Sequence, residues 1–405
     1  MPAAPKKTQQ PTPLYLVILH FIAHQAICYF HGTLIAGILF AQLICAPIRF
    51  FVSIPAYRFI DSVMCQWGMI NFDMMSEYTG RKWNFRFFGD DMTLQDQRKN
   101  FLVVCNHCCT VDWVYNMHFA AFHWSASKVR FFMKRDHLMA PIVGWAAYLH
   151  DMIFLKRTDR EFDLKTISDK LASFRQYGTQ NWLWLYPEGT FVTPNRTGTL
   201  EKVRAYAERQ GWPVMEYVLN PRTTAFVLCL KGKNKECFDS VLDVTVAFGA
   251  PHKTKLGLTL QPQMVNSMRF DKAPVDIFYH VKKHPIVAGE FPEEDDDVAQ
   301  WLHDRFTDKE KLLEYFDKNG TFPGPERPVK RPWQFHLIFF TTMLTFAYLT
   351  YFFFVHARWF FYTYWTFLIV CMLLITWYDN LQGHSTPPQK KQKTGEEKKE
   401  EKKNQ

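Results

Sequence analysis

The chain has 405 residues, a formal net charge of +9 and 48% hydrophobic residues. Its charged residues are unevenly distributed: none lies between Lys7 and Arg49, and only Arg358 interrupts the stretch from Arg331 to Asp379. Uncharged blocks of this length are typical of segments solvated by lipid. The composition therefore excludes a wholly soluble cytosolic enzyme.

Much of the positive charge lies at the two ends of the chain. Residues 389–405 carry +3 and Lys6 with Lys7 adds +2, so the rest of the chain holds only +4. Proteins that bind nucleic acid usually cluster many Lys and Arg side chains on one face. A membrane surface or an anionic lipid headgroup is therefore the favoured partner. No nucleic-acid partner is expected, and the sequence identifies no protein partner.

The N-terminal part is predicted to form a membrane element. Residues 1–13, with several Pro, are expected to be disordered, and residues 14–52 are interpreted as an N-terminal membrane segment. The apolar run from Leu14 covers 35 residues, whereas one bilayer crossing needs about 20. The segment is therefore a long tilted helix, a span followed by an interfacial helix, or a hairpin that turns near Gly32 or Gly37.

Residues 53–330 alternate apolar runs with helical patterns, which predicts an α/β domain with a mixed sheet flanked by helices. The motifs fall within 95–250, the core of this domain. Apolar residues at helical spacing predict two amphipathic helices. The predicted strands are Phe101–Cys105, Val129–Met133, Trp182–Tyr186 and Val241–Phe248, and the predicted helices are Asp163–Tyr177 and Asp297–Phe316.

Residues 333–378 are predicted to hold two transmembrane helices, Trp333–Val355 and Trp359–Tyr378, because each is long enough for one bilayer crossing. Two closely spaced spans leave both flanks on the same side. Cations crowd both flanks, so the positive-inside rule predicts that the flanks face the cytosol. Residues 387–405 are of low complexity and are expected to be disordered. Their last four residues, Lys-Lys-Asn-Gln, are similar to the dilysine retrieval signal of the endoplasmic reticulum.

A histidine and an aspartate five positions apart follow the first predicted strand. His107 and Asp112 can meet only if His107 lies in a turn and Asp112 begins the next helix. A histidine held by a carboxylate serves as a general base, because the carboxylate fixes its tautomer and stabilises the imidazolium. No Gly-x-Ser-x-Gly motif supplies a serine nucleophile, which leaves a substrate hydroxyl to be deprotonated. His303 and Asp308 share the spacing but lie within a predicted helix, where such side chains diverge by about 140°.

Three later blocks place polar or rigid residues at the ends of apolar runs. The first ends in two cations, which suit an anionic phosphate, although paired surface cations are commonplace. The second puts a carboxylate, a glycine and a hydroxyl at a predicted strand end, where α/β sites form. The third contains a rigid proline turn. The candidate substrate-binding residues in these blocks are Lys156 and Arg157, then Glu188, Gly189 and Thr190, then Pro221 and Arg222.

The cysteines near His107 offer a metal-binding alternative. Cys105, Cys108 and Cys109 could form half of a zinc site with His107. A closed tetrahedral site needs a second group of ligands at suitable spacing, and the later cysteines are poorly placed to supply one. No metal is therefore expected, and the three cysteines are predicted to pack beside the histidine.

In this order and spacing, the four blocks resemble the signature of glycerolipid acyltransferases: Asn-His-x4-Asp, a block with Lys or Arg, Pro-Glu-Gly-Thr, and an apolar block with Pro. The resemblance extends over residues 95–330. Asn-His-x-x-Thr-Val-Asp-Trp and three later motifs are similar to the animal endoplasmic-reticulum branch, which holds the gamma, delta and epsilon lysophosphatidic acid acyltransferases and the lysocardiolipin acyltransferase. One position departs from the pattern, because the family usually has Arg after Glu-Gly-Thr and this chain has Phe191.

The resemblance implies that His107, oriented by Asp112, takes the proton from the free glycerol hydroxyl of a lysophospholipid. That oxygen then attacks the thioester of acyl-CoA, which serves as co-substrate, so that no cofactor is needed. The Glu-Gly-Thr block would shape the acceptor site, and Lys156 with Arg157 would hold the phosphate. The expected enzyme converts lysophosphatidic acid (1-acylglycerol-3-phosphate) to phosphatidic acid at the endoplasmic-reticulum membrane, with its catalytic domain in the cytosol.

Three alternatives stay open. The acceptor could be lysocardiolipin or lysophosphatidylinositol, since Phe191 leaves the headgroup preference unsettled. A lipid-binding pseudoenzyme is the non-enzymatic alternative, against which the intact His107, Asp112 and Glu188 argue. A transporter is disfavoured, because the only charge within the C-terminal helix pair, Arg358, lies in the predicted turn instead of at mid-membrane.

Overall fold

The computed structural model describes residues 15, 30, 33–34, 37–78, 83–109, 112–140, 143–191, 197–249, 256, 275–328, 331–360, 362–366 and 370. Within these residues one sheet is formed by strands β1 (Trp83–Gly89), β2 (Phe101–Cys105), β3 (Val129–Lys134), β4 (Ile153–Leu155), β5 (Trp182–Leu185), β6 (Ser240–Phe248) and β7 (Val275–Pro285). Their spatial order is β1-β7-β6-β2-β5-β3-β4. Neighbouring strands are parallel except β6 and β7, which are antiparallel. The α/β fold with a mixed sheet is thus confirmed.

Helices cover both faces of this sheet. They are α1 (Gly37–Val52), α2 (Ile54–Tyr78), α3 (Asp112–Phe122), α4 (Val143–Leu149), α5 (Arg160–Gln176), α6 (Thr197–Arg209), α7 (Thr224–Leu230), α8 (Asp295–Asn319) and α9 (Trp333–His356). The side chains of β2 are all buried and alternate between the two faces. Those of Phe101, Val103 and Cys105 pack with α2, α3 and α9. Those of Leu102 and Val104 pack with α5, α7 and α8.

The strands and amphipathic helices predicted within residues 53–330 are found, with shifts at their ends that have local causes. Helix α5 begins three residues before the prediction, because the Asp159 carboxylate caps it by accepting a hydrogen bond from the Phe162 amide at 3.0 Å. Helix α8 runs on to Asn319 and ends at Gly320, whose left-handed conformation (φ 70°) is typical of a residue that terminates a helix.

Helix α9 is the one helix in the described part of the chain that is long and apolar enough to cross a membrane. Its 24 residues have a mean hydropathy of 1.7 in their most apolar window, and only 6% of that window is buried inside the molecule. It corresponds to the first of the two predicted spans. Most of the second, Trp359–Tyr378, lies outside the described residues, as do the predicted tails 1–13 and 387–405 and most of the N-terminal segment before α1.

Buried ion pairs attach the N-terminal helices to the sheet domain. The Asp151 carboxylate lies 2.8 Å from nitrogens of Arg49 in α1, Arg58 in α2 and Lys170 in α5. Although burial alone would raise the pKa of Asp151, these three cations lower it. Since Asp151 lies two residues before β4, the network fixes the strand that leads into Lys156 and Arg157.

Candidate active site

The site begins where β2 ends, and an asparagine side chain fixes that point. Asn106 is buried, donates from Nδ2 to the Val246 carbonyl at 3.0 Å and accepts from the Val246 amide at 2.8 Å. This pair of bonds extends the pairing of β2 with β6 through a side chain. The backbone can therefore leave the sheet at His107 without losing its register.

His107 and Asp112 are in contact. The imidazole Nδ1 lies 2.9 Å from Asp112 Oδ2, and Asp112 is the first residue of α3. An ionised carboxylate only accepts hydrogen bonds, so Nδ1 carries the proton and Nε2 is left as the basic nitrogen. The His107 side chain keeps 21% of its surface exposed, against 6% for Asp112. The helix start that the spacing required is present at Asp112, and His107 lies in the loop after β2.

The Asp112 carboxylate also closes the loop before α3. Its Oδ2 accepts from the Cys108 amide at 2.7 Å, and its Oδ1 accepts from the Cys109 amide at 3.0 Å and from the Cys109 thiol at 2.8 Å. A carboxylate at the first turn of a helix is further favoured by the helix dipole. The orientation of His107 is thus set by a carboxylate that is itself held from several directions.

Aromatic rings hold the imidazole on two sides. The Tyr186 ring stacks on His107 at 4.7 Å, and Phe191 meets it edge-on at 4.9 Å. The Tyr186 hydroxyl accepts a hydrogen bond from Asn116 Nδ2 at 2.8 Å, and the carbonyl of that amide accepts from Tyr279 at 2.9 Å. This buried network fixes the ring against which the histidine rests.

Glu188 ties two of the motifs together through their backbones. Its Oε1 accepts from the His107 amide at 2.7 Å and its Oε2 from the Leu219 amide at 3.0 Å. The side chain is buried, and burial raises the pKa of Glu188 to about 8. Both oxygens are occupied by protein groups, so the observed role is to brace the His107 loop. The expected contact with an acceptor stays a prediction.

Two arginines converge on Gly189, whose positive φ of 67° suits glycine. Arg157 donates to the Gly189 carbonyl at 3.0 Å, and a β-carbon at Gly189 would lie 3.3 Å from Arg222 Nε. Burial, together with the nearby charge of Arg222, lowers the pKa of Arg157. Among the described residues, neither guanidinium forms an ion pair with a carboxylate. Two unpaired cations side by side are suited to an anion.

Lys156 points away from this pair. Its ammonium lies 3.1 Å from Asp159 and 3.9 Å from the centroid of the Phe162 ring. The neighbouring Arg157 has a left-handed backbone (φ 64°), and the Asp163 carboxylate accepts hydrogen bonds from both backbone amides. The turn therefore sends adjacent side chains in different directions.

The remaining predicted residues shape the edge of the site. Thr190 follows Gly189 and makes a 3.4 Å contact from its hydroxyl to the Phe191 carbonyl. Pro221 is buried, and the residue after it, Arg222, donates its amide to the Pro187 carbonyl at 2.8 Å. The Pro-Glu-Gly-Thr block and the Pro-Arg block are therefore joined directly.

The cysteines near His107 contact protein groups. Cys105 accepts from Asn116 at 3.8 Å, and Cys108 lies 3.1 Å from the side-chain amide of Asn106. Burial raises the pKa of both thiols, which disfavours the thiolate that a metal ligand needs. In the part of the chain that the structure describes, no three His, Cys, Asp or Glu side chains are grouped as a metal site requires.

The second His–Asp pair is separated, as its place in a helix predicts. The His303 ring packs on Trp212 at 4.5 Å between centroids, and Asp308 pairs with Arg305 at 2.8 Å. Both residues lie within α8.

Comparisons with known proteins assign the chain to a family. Residues 88–247 match the Acyltransferase family and residues 270–342 match the family described as Acyltransferase C-terminus. Over 276 residues the chain is 30% identical to 1-acyl-sn-glycerol-3-phosphate acyltransferase epsilon of Mus musculus, which covers 68% of this chain and 72% of the mouse protein. The chain belongs to the 1-acyl-sn-glycerol-3-phosphate acyltransferase family.

Two further relatives of this acyltransferase give lower identities. The gamma enzyme of Homo sapiens is 27% identical over 252 residues, which covers 61% of this chain and 61% of the human protein. The crystal structure of the 1-acyl-sn-glycerophosphate (LPA) acyltransferase PlsC from Thermotoga maritima is 16% identical, with a TM-score of 0.40, and covers 73% of this chain and 97% of that chain.

Sequence reasoning missed several residues that surround the dyad of this acyltransferase. Cys109 was predicted to pack beside His107, but its bond to Asp112 was missed. Asn106 lies inside the first motif, so its position beside His107 was a usable signal. Asn116 and Tyr279 had no such signal, because the 2.9 Å bond between them joins residues 163 positions apart.

Proposed function

We propose that the protein is a membrane-bound acyl-CoA:lysophospholipid O-acyltransferase that converts lysophosphatidic acid to phosphatidic acid. The observation that carries this proposal is the 2.9 Å contact between His107 and Asp112 at the end of β2, in a member of the acyltransferase family. The relatives named for 1-acyl-sn-glycerol-3-phosphate support the acceptor. Acyl-CoA acts as co-substrate, and the reaction uses no cofactor and no metal.

In the proposed reaction, His107 Nε2 takes the proton from the free glycerol hydroxyl of the lysolipid. Asp112 stabilises the imidazolium that forms, since the two groups are already hydrogen-bonded. The glycerol oxygen attacks the thioester carbonyl carbon, the carbon–sulfur bond breaks, and the imidazolium returns its proton to the departing thiolate. The products are the diacyl lipid and free coenzyme A.

The acceptor phosphate is bound by the arginines at Gly189. Arg157 and Arg222 both lie against this glycine, which directly follows the glutamate that braces His107. An anion held there would therefore lie near the base that activates its hydroxyl. Lys156 contributes at the periphery, because its ammonium is paired with Asp159 at 3.1 Å.

The enzyme is, in this proposal, a multi-pass protein of the endoplasmic-reticulum membrane with its catalytic domain in the cytosol, where acyl-CoA is available. Support comes from the exposed apolar helix α9 and from the cations Arg327 and Arg331 before it. Asn319 in the sequon Asn-Gly-Thr is exposed at the end of α8 and provides a test. Endoglycosidase should leave the mobility of the native protein unchanged. A shift that Asn319→Gln removes would place this domain in the lumen.

A panel of lysolipids assayed with labelled acyl-CoA tests the reaction. Purified protein in detergent or vesicles is expected to acylate lysophosphatidic acid fastest, with release of free coenzyme A in equal amount. Faster acylation of lysocardiolipin or lysophosphatidylinositol would move the assignment to those acceptors. Absence of acyl transfer to every acceptor, with lysolipid still bound, would favour a lipid-binding pseudoenzyme.

A further inference from the structure

The Asp112 carboxylate is held by a thiol as well as by backbone amides. Cys109 Sγ lies 2.8 Å from Asp112 Oδ1, while the other oxygen, Oδ2, bonds His107 Nδ1 at 2.9 Å. Cys109 is fully buried, with no exposed surface. A thiol is a weak donor, but a hydrogen bond to an ionised acceptor is strengthened by the charge.

We propose that Cys109 is a positioning residue of the catalytic dyad. By holding Oδ1, its S–H fixes the plane of the Asp112 carboxylate and so directs Oδ2 at the imidazole. The backbone amides of Cys108 and Cys109 hold the same carboxylate but belong to the loop itself. The thiol adds a side-chain donor that reaches the carboxylate from within the core. This role presupposes the proposed function of His107 and Asp112.

The rival interpretation is that Cys109 only fills space, since it belongs to the buried cluster between the sheet, α2 and α3. The two roles require different properties of the side chain. Positioning needs a donor, whereas packing needs apolar volume. Cys109→Ser keeps a donor and loses apolar character, while Cys109→Val keeps apolar volume and loses the donor. Cys109→Ala lacks both the donor and the volume.

The experiment compares kcat and KM of these three variants with the best lysolipid acceptor. Cys109→Ala and Cys109→Val are expected to lower kcat about tenfold, as for a hydrogen bond to a charged group. The KM values should change less than about twofold, because no substrate contact is removed. Cys109→Ser should restore most of kcat. Cys229→Ala, which removes a fully buried thiol in the other core cluster, is the matched control for loss of a buried sulfur.

The proposal would be overturned if the folded Cys109→Val variant kept full kcat. It would also be overturned if folded Cys109→Ser lost as much kcat as Cys109→Ala. A spectroscopic reading is independent of activity. The infrared difference spectrum between the native protein and Cys109→Ala should isolate one S–H stretching band at lowered frequency, and Asp112→Ala should shift that band to higher frequency. If His107→Ala proved fully active, the proposed function would fail, but this band would still test the contact.

Discussion

His107 and Asp112 have the same separation along the chain as His303 and Asp308, yet the two pairs differ completely in space. The first pair is hydrogen-bonded at 2.9 Å. In the second, His303 packs on a tryptophan ring and Asp308 pairs with an arginine. Spacing therefore produces a dyad only where the backbone between the residues turns from a strand into a helix.

The surroundings of the two pairs differ as well. The His107 amide is not part of a helix, and it donates to Glu188 at 2.7 Å. His303 lies within α8, whose amides bond within the helix. A residue at a strand end thus has backbone groups that can form hydrogen bonds with residues of other motifs. This is where a base can be held rigidly and still keep part of its ring exposed.

Removing each histidine gives the largest expected difference between the pairs. His107→Ala should lower kcat by about 10² to 10⁴-fold, because a positioned general base contributes that much to the rate. His303→Ala should retain nearly full activity, since its ring only packs on Trp212. Acyl transfer to one lysolipid, measured for both purified variants, checks this.

Membrane insertion and thermal melting provide the control for folding. Comparable losses of kcat in the two folded variants would contradict the assignment of His107 as the base.

The aspartates give the second comparison. Asp112→Asn should lower kcat about 10²-fold or more, because an amide can donate to Nδ1 and so place the imidazole proton on Nε2. Asp308→Asn removes ion pairs with Arg305 and Lys311 that lie away from the dyad, and it should have no measurable effect on kcat. Steady-state kinetics at saturating substrates distinguish the two. Retention of native kcat in folded Asp112→Asn would mean that the carboxylate does not set the tautomer.

The sequence predicted the central strands because they are continuous apolar runs, as in β2 and β5. It missed β1 and β7, although they pair in register from Trp83 with Val275. These strands are almost two hundred residues apart in the chain, and pairing over such a distance leaves no local pattern. The three-residue β4 is too short to show any period.

The same limit applies inside the site. Lys156 and Arg157 are adjacent and chemically alike, so nothing in the sequence distinguishes their roles. The structure directs Lys156 to Asp159 and Arg157 to Gly189, because the Arg157 backbone has a positive φ of 64°. A conformation that L-residues rarely adopt is set by surrounding contacts, and the sequence around it carries no sign of it.

Because the side chains of Lys156 and Arg157 point in different directions, we expect their substitution to have different effects on KM, both smaller than the effects at His107 and Asp112. Arg157→Gly, which suits the left-handed backbone, should raise the KM for lysophosphatidic acid about tenfold and leave the KM for acyl-CoA nearly unchanged. Lys156→Ala, the matched control, should change either KM by less than about twofold, because its ammonium is half-exposed and paired with Asp159. Kinetics with each substrate varied in turn provide the test. Equal increases in both KM values for Arg157→Gly would favour a structural role or a role in binding coenzyme A.

The hydrogen bonds that Glu188 accepts from the His107 and Leu219 amides predict the smallest effect, a change in thermal stability. Burial raises the pKa of Glu188 from its ordinary value of 4.5 to about 8. A carboxyl group with a raised pKa stabilises the folded state most below its unfolded pKa, and this contribution is lost as the pH rises through about 8.

Glu188→Gln cannot titrate. The difference in melting temperature between the native protein and this variant should therefore decrease as the pH rises from 5 to 8.5. All other titrating groups are shared and cancel in this difference. A difference that stays constant between pH 5 and pH 8.5 would mean that the two backbone amides, from His107 and Leu219, hold Glu188 as a carboxylate throughout.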